Sequence, residues 1–146
     1  LWDANMDMLS TTLINLYDPS WPIRSRSVAQ PPHYIGSDAC VEHSIVTEGC
    51  VIEGSVENSV LSSSATVGKG AKVLYSVLMP GVTVEDGATV EYAIIGEGTV
   101  IKSGAHVGSA PDGSEGWGVA TCGPKIEIRS GAEVKAGAMI YKSEEV

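Results

Sequence analysis

The sequence predicts an all-β fold in which one short strand-and-corner unit repeats until it closes a prism. Three observations carry this. The tetrapeptide Gly-Ala-x-Val/Ile recurs as GAKV (70–73), GATV (87–90), GAHV (104–107), GAEV (131–134) and GAMI (137–140), with a looser copy, DACV, at 38–41. The first three copies are 17 residues apart, and whole rows align at that spacing: 58–74, 75–91 and 92–108. Within a row a branched apolar residue returns about every six positions, as at Val67 and Val73, Val84 and Val90, and Ile101 and Val107. A helix would bring apolar residues back every three or four positions, so this period is not helical. It describes a hexapeptide with one residue dropped per triple. The branched residue points inward, Ala fits the tight corner, and Gly supplies the positive φ that a corner needs. Three sides close one coil, coils stack at about 4.8 Å, and five to six of them give a prism of roughly 25 Å. The architecture is a parallel β-helix.

The elements follow in order. Residues 1–16 place Leu1, Trp2, Met6, Leu9, Leu13 and Leu16 mostly three or four apart, which predicts an amphipathic helix. Residues 17–34 hold four of the seven prolines and read as an extended arm, with Trp21 and Tyr34 expected to pin it against something apolar. Residues 35–146 are the β-helix. A short row at 43–57 precedes the three aligned ones, and a later row, 119–135, fits if residues 109–118 are an insertion.

Composition narrows the function. Hydrophobic residues make up 43% of the chain, with no Phe, so the core is built of small branched side chains. The net charge of −9 argues against nucleic acid and anionic membrane as partners. Cys40, Cys50 and Cys122 are far apart and odd in number, which reads as free thiols in a reducing cytoplasm rather than a zinc site or disulfide framework. There is no run long enough to span a membrane and no signal peptide. The chain begins at Leu1 directly in a helical pattern and reads as a piece of a longer protein.

Candidate chemistry is sparse. His106 is the variable residue of Gly-Ala-x-Val and points outward; it reads as a solvated side chain before it reads as a catalytic base. His43 opens its row where Asn58, Tyr75 and Tyr92 open theirs, again a surface position, and His33 lies in the arm. No two histidines share a row at metal-ligand spacing. Asp112 and Glu115 in the insertion can form an acid–base pair, but they read more simply as solubilising a loop whose Trp117 is a packing anchor.

The segments LWDANMDML, YDPSWPIRS and PPHYIG, followed by VENSVLSSSATVGKGAKV, YSVLMPGV and the interruption before GWGVATCGP, together resemble bacterial glucose-1-phosphate adenylyltransferases (ADP-glucose pyrophosphorylases) across essentially the whole chain. The resemblance implies a left-handed β-helix, with 1–16 as the last helix of a nucleotidyltransferase domain and 17–34 as the linker. It also implies a parent enzyme of glycogen synthesis that makes ADP-glucose and pyrophosphate from ATP and glucose 1-phosphate with Mg²⁺. The Gly-rich nucleotide loop and acidic metal ligands of that family do not occur here, so no catalytic residue, cofactor site or metal site is assigned to this chain. What remains implied is a regulatory and assembly role: contact with an N-terminal catalytic domain, a tetramer, and an allosteric sugar phosphate or nucleotide. Arg24, Arg26, Lys69 and Lys72 are the candidate effector cations, and the neutral turn Ser62–Ser64 stands where some relatives carry basic residues. The alternatives are another sugar nucleotidyltransferase or its non-catalytic paralogue, and a hexapeptide acyltransferase.

Overall fold

The computed structural model describes residues 1–10, 15, 18–22, 24 and 29–143. Their β-strands form three six-stranded, all-parallel sheets, the three faces of a prism of six coils. The first face carries Tyr34–Ile35, Val51–Ile52, Thr66–Val67, Thr83–Val84, Val100–Ile101 and Glu127–Ile128. The second carries Cys40–Glu42, Ser55–Glu57, Lys72–Leu74, Thr89–Glu91, His106–Val107 and Glu133–Val134. The third carries Ile45–Val46, Val60–Leu61, Val77–Leu78, Ala93–Ile95, Ala120–Cys122 and Met139–Ile140.

Register follows the repeat. Val84 lies between Val67 and Ile101, Val90 between Val73 and Val107, and Ile95 between Leu78 and Cys122. These inward residues are sealed from solvent, and so are the corner alanines Ala71, Ala88 and Ala105. The corner glycines Gly70, Gly87, Gly104 and Gly131 take φ of 66, 69, 71 and 69°, as the repeat requires. Small branched side chains suit this core because each face is only two or three residues wide before the chain turns.

The N-terminal segment departs from the expected helix over 1–16. Helix α1 spans Trp2–Met6, a 3₁₀ turn follows over Asp7–Leu9, and Ser10 is already extended at φ −97°, ψ 101°. Leu1 gives no side-chain cap, and the Ser-Thr-Thr run that follows favours backbone-competing conformations over helix. A five-residue helix cannot stand alone; tertiary packing holds it. Leu13 and Leu16 lie outside the described residues. The arm differs too: Trp21 is 72% exposed and Tyr34 57%, so neither buries its ring. The arm is held instead by its backbone, Gly49 N–H donating to the Pro31 carbonyl (2.7 Å) and Tyr34 N–H to that of Cys50 (2.8 Å).

Candidate functional site

The three faces differ on the outside. The second presents Cys40, Ser55, Lys72, Thr89, His106 and Glu133, a polar row. The third presents Ile45, Val60, Val77 and Ile94 in register before Thr121 and Met139, so its first four strands are apolar on both sides. Such strands need cover on both faces. Helix α1 supplies part of it: Met6 packs with Val60 and Val77, and Trp2, Ile45 and Ile94 border the cluster.

The corner between the second and third faces is ordered in two layers. Inside runs a hydroxyl ladder. Ser44 Oγ accepts the Ser59 N–H, Ser59 Oγ accepts the Ser76 N–H, and Ser76 Oγ accepts the Ala93 N–H, each at 3.1 Å. Each hydroxyl also donates to the carbonyl two residues back in its own coil, at 2.7 Å. Outside runs a column of residues forced to positive φ: His43 at 41°, Asn58 at 46°, Tyr75 at 47° and Tyr92 at 48°. Bulky residues pay on the order of 1–2 kcal/mol to sit there, so the surroundings must hold them in place.

Contacts along the column are continuous. His43 Nδ1 meets Asn58 Oδ1 at 2.9 Å, and the Trp2 indole N–H donates to the Asn58 carbonyl at 2.6 Å. Trp2 leans on Tyr75 (centroids 5.9 Å, 44°), and Tyr75 stacks on Tyr92 (4.8 Å, 10°). Tyr92 meets Trp117 edge to face (5.7 Å, 81°). The insertion leaves the prism at this same corner and comes back to it through Trp117, whose indole N–H closes the loop on the Ser109 carbonyl at 2.9 Å. Gly108 starts the loop at φ 83°, where a Cβ would overlap the Glu91 carbonyl oxygen. Burial, then Tyr75 and Glu91, push the Tyr92 hydroxyl pKa above its ordinary value.

Between α1, the tyrosine stack and the loop lies a groove of ≈ 280 Å³, lined by Leu1, Trp2, Asp3, Tyr75, Tyr92, Ala93, Ile94, Trp117 and Val119. Its side chains include no Ser, Cys, His, Lys or Arg; the polar groups are the Asp3 carboxylate, the two tyrosine hydroxyls and the two indole N–H groups.

The residues singled out from sequence fall elsewhere. Lys69 lines a different groove on the corner between the first and second faces, beside Asp38 and Glu53. Its backbone N–H is taken by Asp86 Oδ1 at 2.8 Å. Lys72 is exposed on the second face between Ser55 and Thr89, and does not line that groove. Arg24 is exposed, and Arg26 lies outside the described residues. His106 does point outward, but it is paired, Nε2 to Glu91 Oε1 at 2.8 Å. His33 is exposed. The Ser114 side chain, and then the Ser114 N–H that Asp112 Oδ1 accepts, hold the Asp112 carboxyl below the usual range, and no hydrogen bond or ion pair joins it to Glu115 among the described residues. Trp117 is the packing anchor expected.

The sequence placed the four openers at one surface position but not in a column of contacts with Trp2 and Trp117. The signal was present: each opener, His43, Asn58, Tyr75 and Tyr92, precedes a small residue and then two adjacent apolar ones, the mark of a strand buried on both sides.

Known proteins agree with the repeat. Residues 77 long in alignment are 51% identical to glucose-1-phosphate adenylyltransferase of Clostridioides difficile strain 630, covering 52% of this chain and 20% of that one. A 74-residue stretch is 51% identical to the enzyme of that name from Geobacillus stearothermophilus, covering 50% and 19%. The Bacillus mycoides protein of that name is 49% identical over 77 residues. The chain thus spans about a fifth of the length of these relatives. Among solved structures, a mutant of perosamine N-acetyltransferase from Caulobacter crescentus, in complex with CoA and GDP-perosamine, superposes with a TM-score of 0.62 at 15% identity, over 75% of this chain and 50% of that one. That likeness is one of fold. The model of the GlmU-like, C-terminal hexapeptide family matches residues 31–124, and the chain belongs to that family.

Proposed function

We propose that this chain is the non-catalytic hexapeptide portion of a glucose-1-phosphate adenylyltransferase. On this reading the whole protein works in the cytoplasm, condensing ATP and glucose 1-phosphate to ADP-glucose and pyrophosphate for glycogen synthesis. The observation that carries it is the roughly half identity, over half the chain, to relatives of that name. The geometry supports docking over chemistry: the outward features of the prism are an apolar stripe seated under α1 and an aromatic column. ATP and Mg²⁺ belong to the catalytic domain on this reading; among the described residues no three His, Cys, Asp or Glu side chains are grouped to hold a metal. The prism contributes to a tetramer and to an anionic effector site. Of the effector cations, Lys72 and Arg24 fit better than Lys69, whose neighbours Asp38 and Glu53 oppose an anion.

The test is direct. Residues 1–146 alone should form no ADP-glucose from ATP and glucose 1-phosphate, while the full-length protein should; ADP-glucose made by the isolated chain, or none by the full-length protein, overturns the reading. In the full-length protein Lys72→Ala should raise the effector concentration needed for half-maximal response. A second reading rests on the His106–Glu91 pair: a hexapeptide acyltransferase with His106 as base. Acetyl-CoA binding lost in His106→Ala would favour it.

A further inference from the structure

The groove on the third face has an aromatic composition that sugar-phosphate control does not explain and that docking does not by itself require. Four aromatic rings from three separate segments wall it: Trp2 from α1, Tyr75 and Tyr92 from the corner column, Trp117 from the insertion. The rings are not all parallel. Trp2 is inclined 44° to Tyr75 and Trp117 stands 81° to Tyr92, so the walls differ in orientation. Both indole N–H groups are already spent on carbonyls, Asn58 and Ser109, which locks the ring planes and leaves π surface as what the indoles offer. Asp3 is the one charged side chain of the lining. The whole chain carries −9.

We propose that this groove is a binding site for a quaternary ammonium group. Aromatic walls attract a weakly hydrated cation through their ring quadrupoles, and the Asp3 carboxylate adds a counter-charge. The remaining lining, Leu1, Ala93, Ile94 and Val119, suits the methyl groups that cover such a cation. The choice among cations follows from hydrogen bonding. A guanidinium brings five N–H donors and a primary ammonium three, each of which needs an acceptor on leaving water. Against them the side chains of this lining set one carboxylate and two tyrosine hydroxyls. A quaternary ammonium has no N–H to satisfy, so of the three it loses least by entering an apolar, aromatic groove. A volume of ≈ 280 Å³, at the lower edge of the range for small-molecule sites, leaves room for such a group.

The experiment is ligand-observed NMR on the 146-residue chain, titrating choline and, in parallel, its neutral isostere 3,3-dimethylbutan-1-ol and guanidinium chloride at matched ionic strength. Saturation transfer to the choline N-methyl protons is expected, with the neutral isostere about thirtyfold weaker, the size of a desolvated cation–π term, and guanidinium weaker than choline. Trp117→Ala, which sits on the insertion outside the prism core, should abolish the transfer, and Asp3→Asn should weaken it. Circular dichroism should show both variants folded. Equal binding of choline and the isostere would reduce the site to an apolar groove, tighter guanidinium binding would make it an arginine-docking surface, and no choline binding, or binding untouched in folded Trp117→Ala, would place any cation elsewhere. Each of these overturns the proposal.

Discussion

Ser76→Ala isolates the hydroxyl ladder. Ser76 is 1% exposed, donates to the Leu74 carbonyl at 2.7 Å and accepts the Ala93 N–H at 3.1 Å. The two losses are not equal. The Leu74 carbonyl keeps the Tyr92 N–H at 3.0 Å, so it stays satisfied. The Ala93 N–H has no second acceptor, and Ala93 is itself 1% exposed. The cost is therefore that of one orphaned buried donor, about 1–3 kcal/mol, with no cavity large enough to add much. For a chain of this size that is roughly 2–4 °C of Tm per kcal/mol. Urea unfolding followed by far-ultraviolet circular dichroism should show a lower midpoint at unchanged slope. Ser44→Ala, at a half-buried position, should cost less. A Ser76→Ala loss below about 0.5 kcal/mol, the range of ordinary surface changes, would mean that the corner relaxes or admits water, and the ladder would not be what fixes the corner.

Three further outcomes follow from the same geometry. Val90→Asp puts an unpaired carboxylate at a position with no exposure between Val73 and Val107, so the chain should lose its cooperative urea transition; an unchanged midpoint would refute the inward register. His106→Ala removes a pair whose histidine is 46% exposed, and should stay within about 0.5 kcal/mol; a larger loss in the same assay would show that His106–Glu91 clamps the start of the insertion. For the thiols, Cys40 is exposed, Cys50 and Cys122 are buried, and burial pushes the Cys122 pKa up to about 11. Ellman's reagent at pH 8 should therefore titrate one thiol quickly and the others only on unfolding, and a second fast thiol would contradict the burial.

How far the sequence could be read depends on which interactions repeat. Inward positions were legible because each coil applies the same constraint: a branched residue or an alanine facing inward, with a neighbour above and below in the four inner coils. The insertion was legible as an interruption of that period. Its destination was not, because Trp117 meets Tyr92 across a corner, a contact set by the return path of a loop without any repeat. The short helix was misread for a related reason. Leu1, Trp2, Met6 and Leu9 have helical spacing, but spacing does not say which of them finds a partner. Met6 and Trp2 meet the outer stripe of the third face, Leu1 stays 63% exposed, and the helical turns stop by Ser10. The four candidate cations show the limit from the other side. Residue type alone made them plausible, yet Lys69 shares its groove with two carboxylates, Asp38 and Glu53, that come from other coils. A site assembled between coils is written in the register, and in a solenoid the register is legible only where the repeat is unbroken. The aromatic groove arises where it breaks: α1 arrives from outside the repeat, the insertion leaves it, and the tyrosine column between them is the one regular element both can touch.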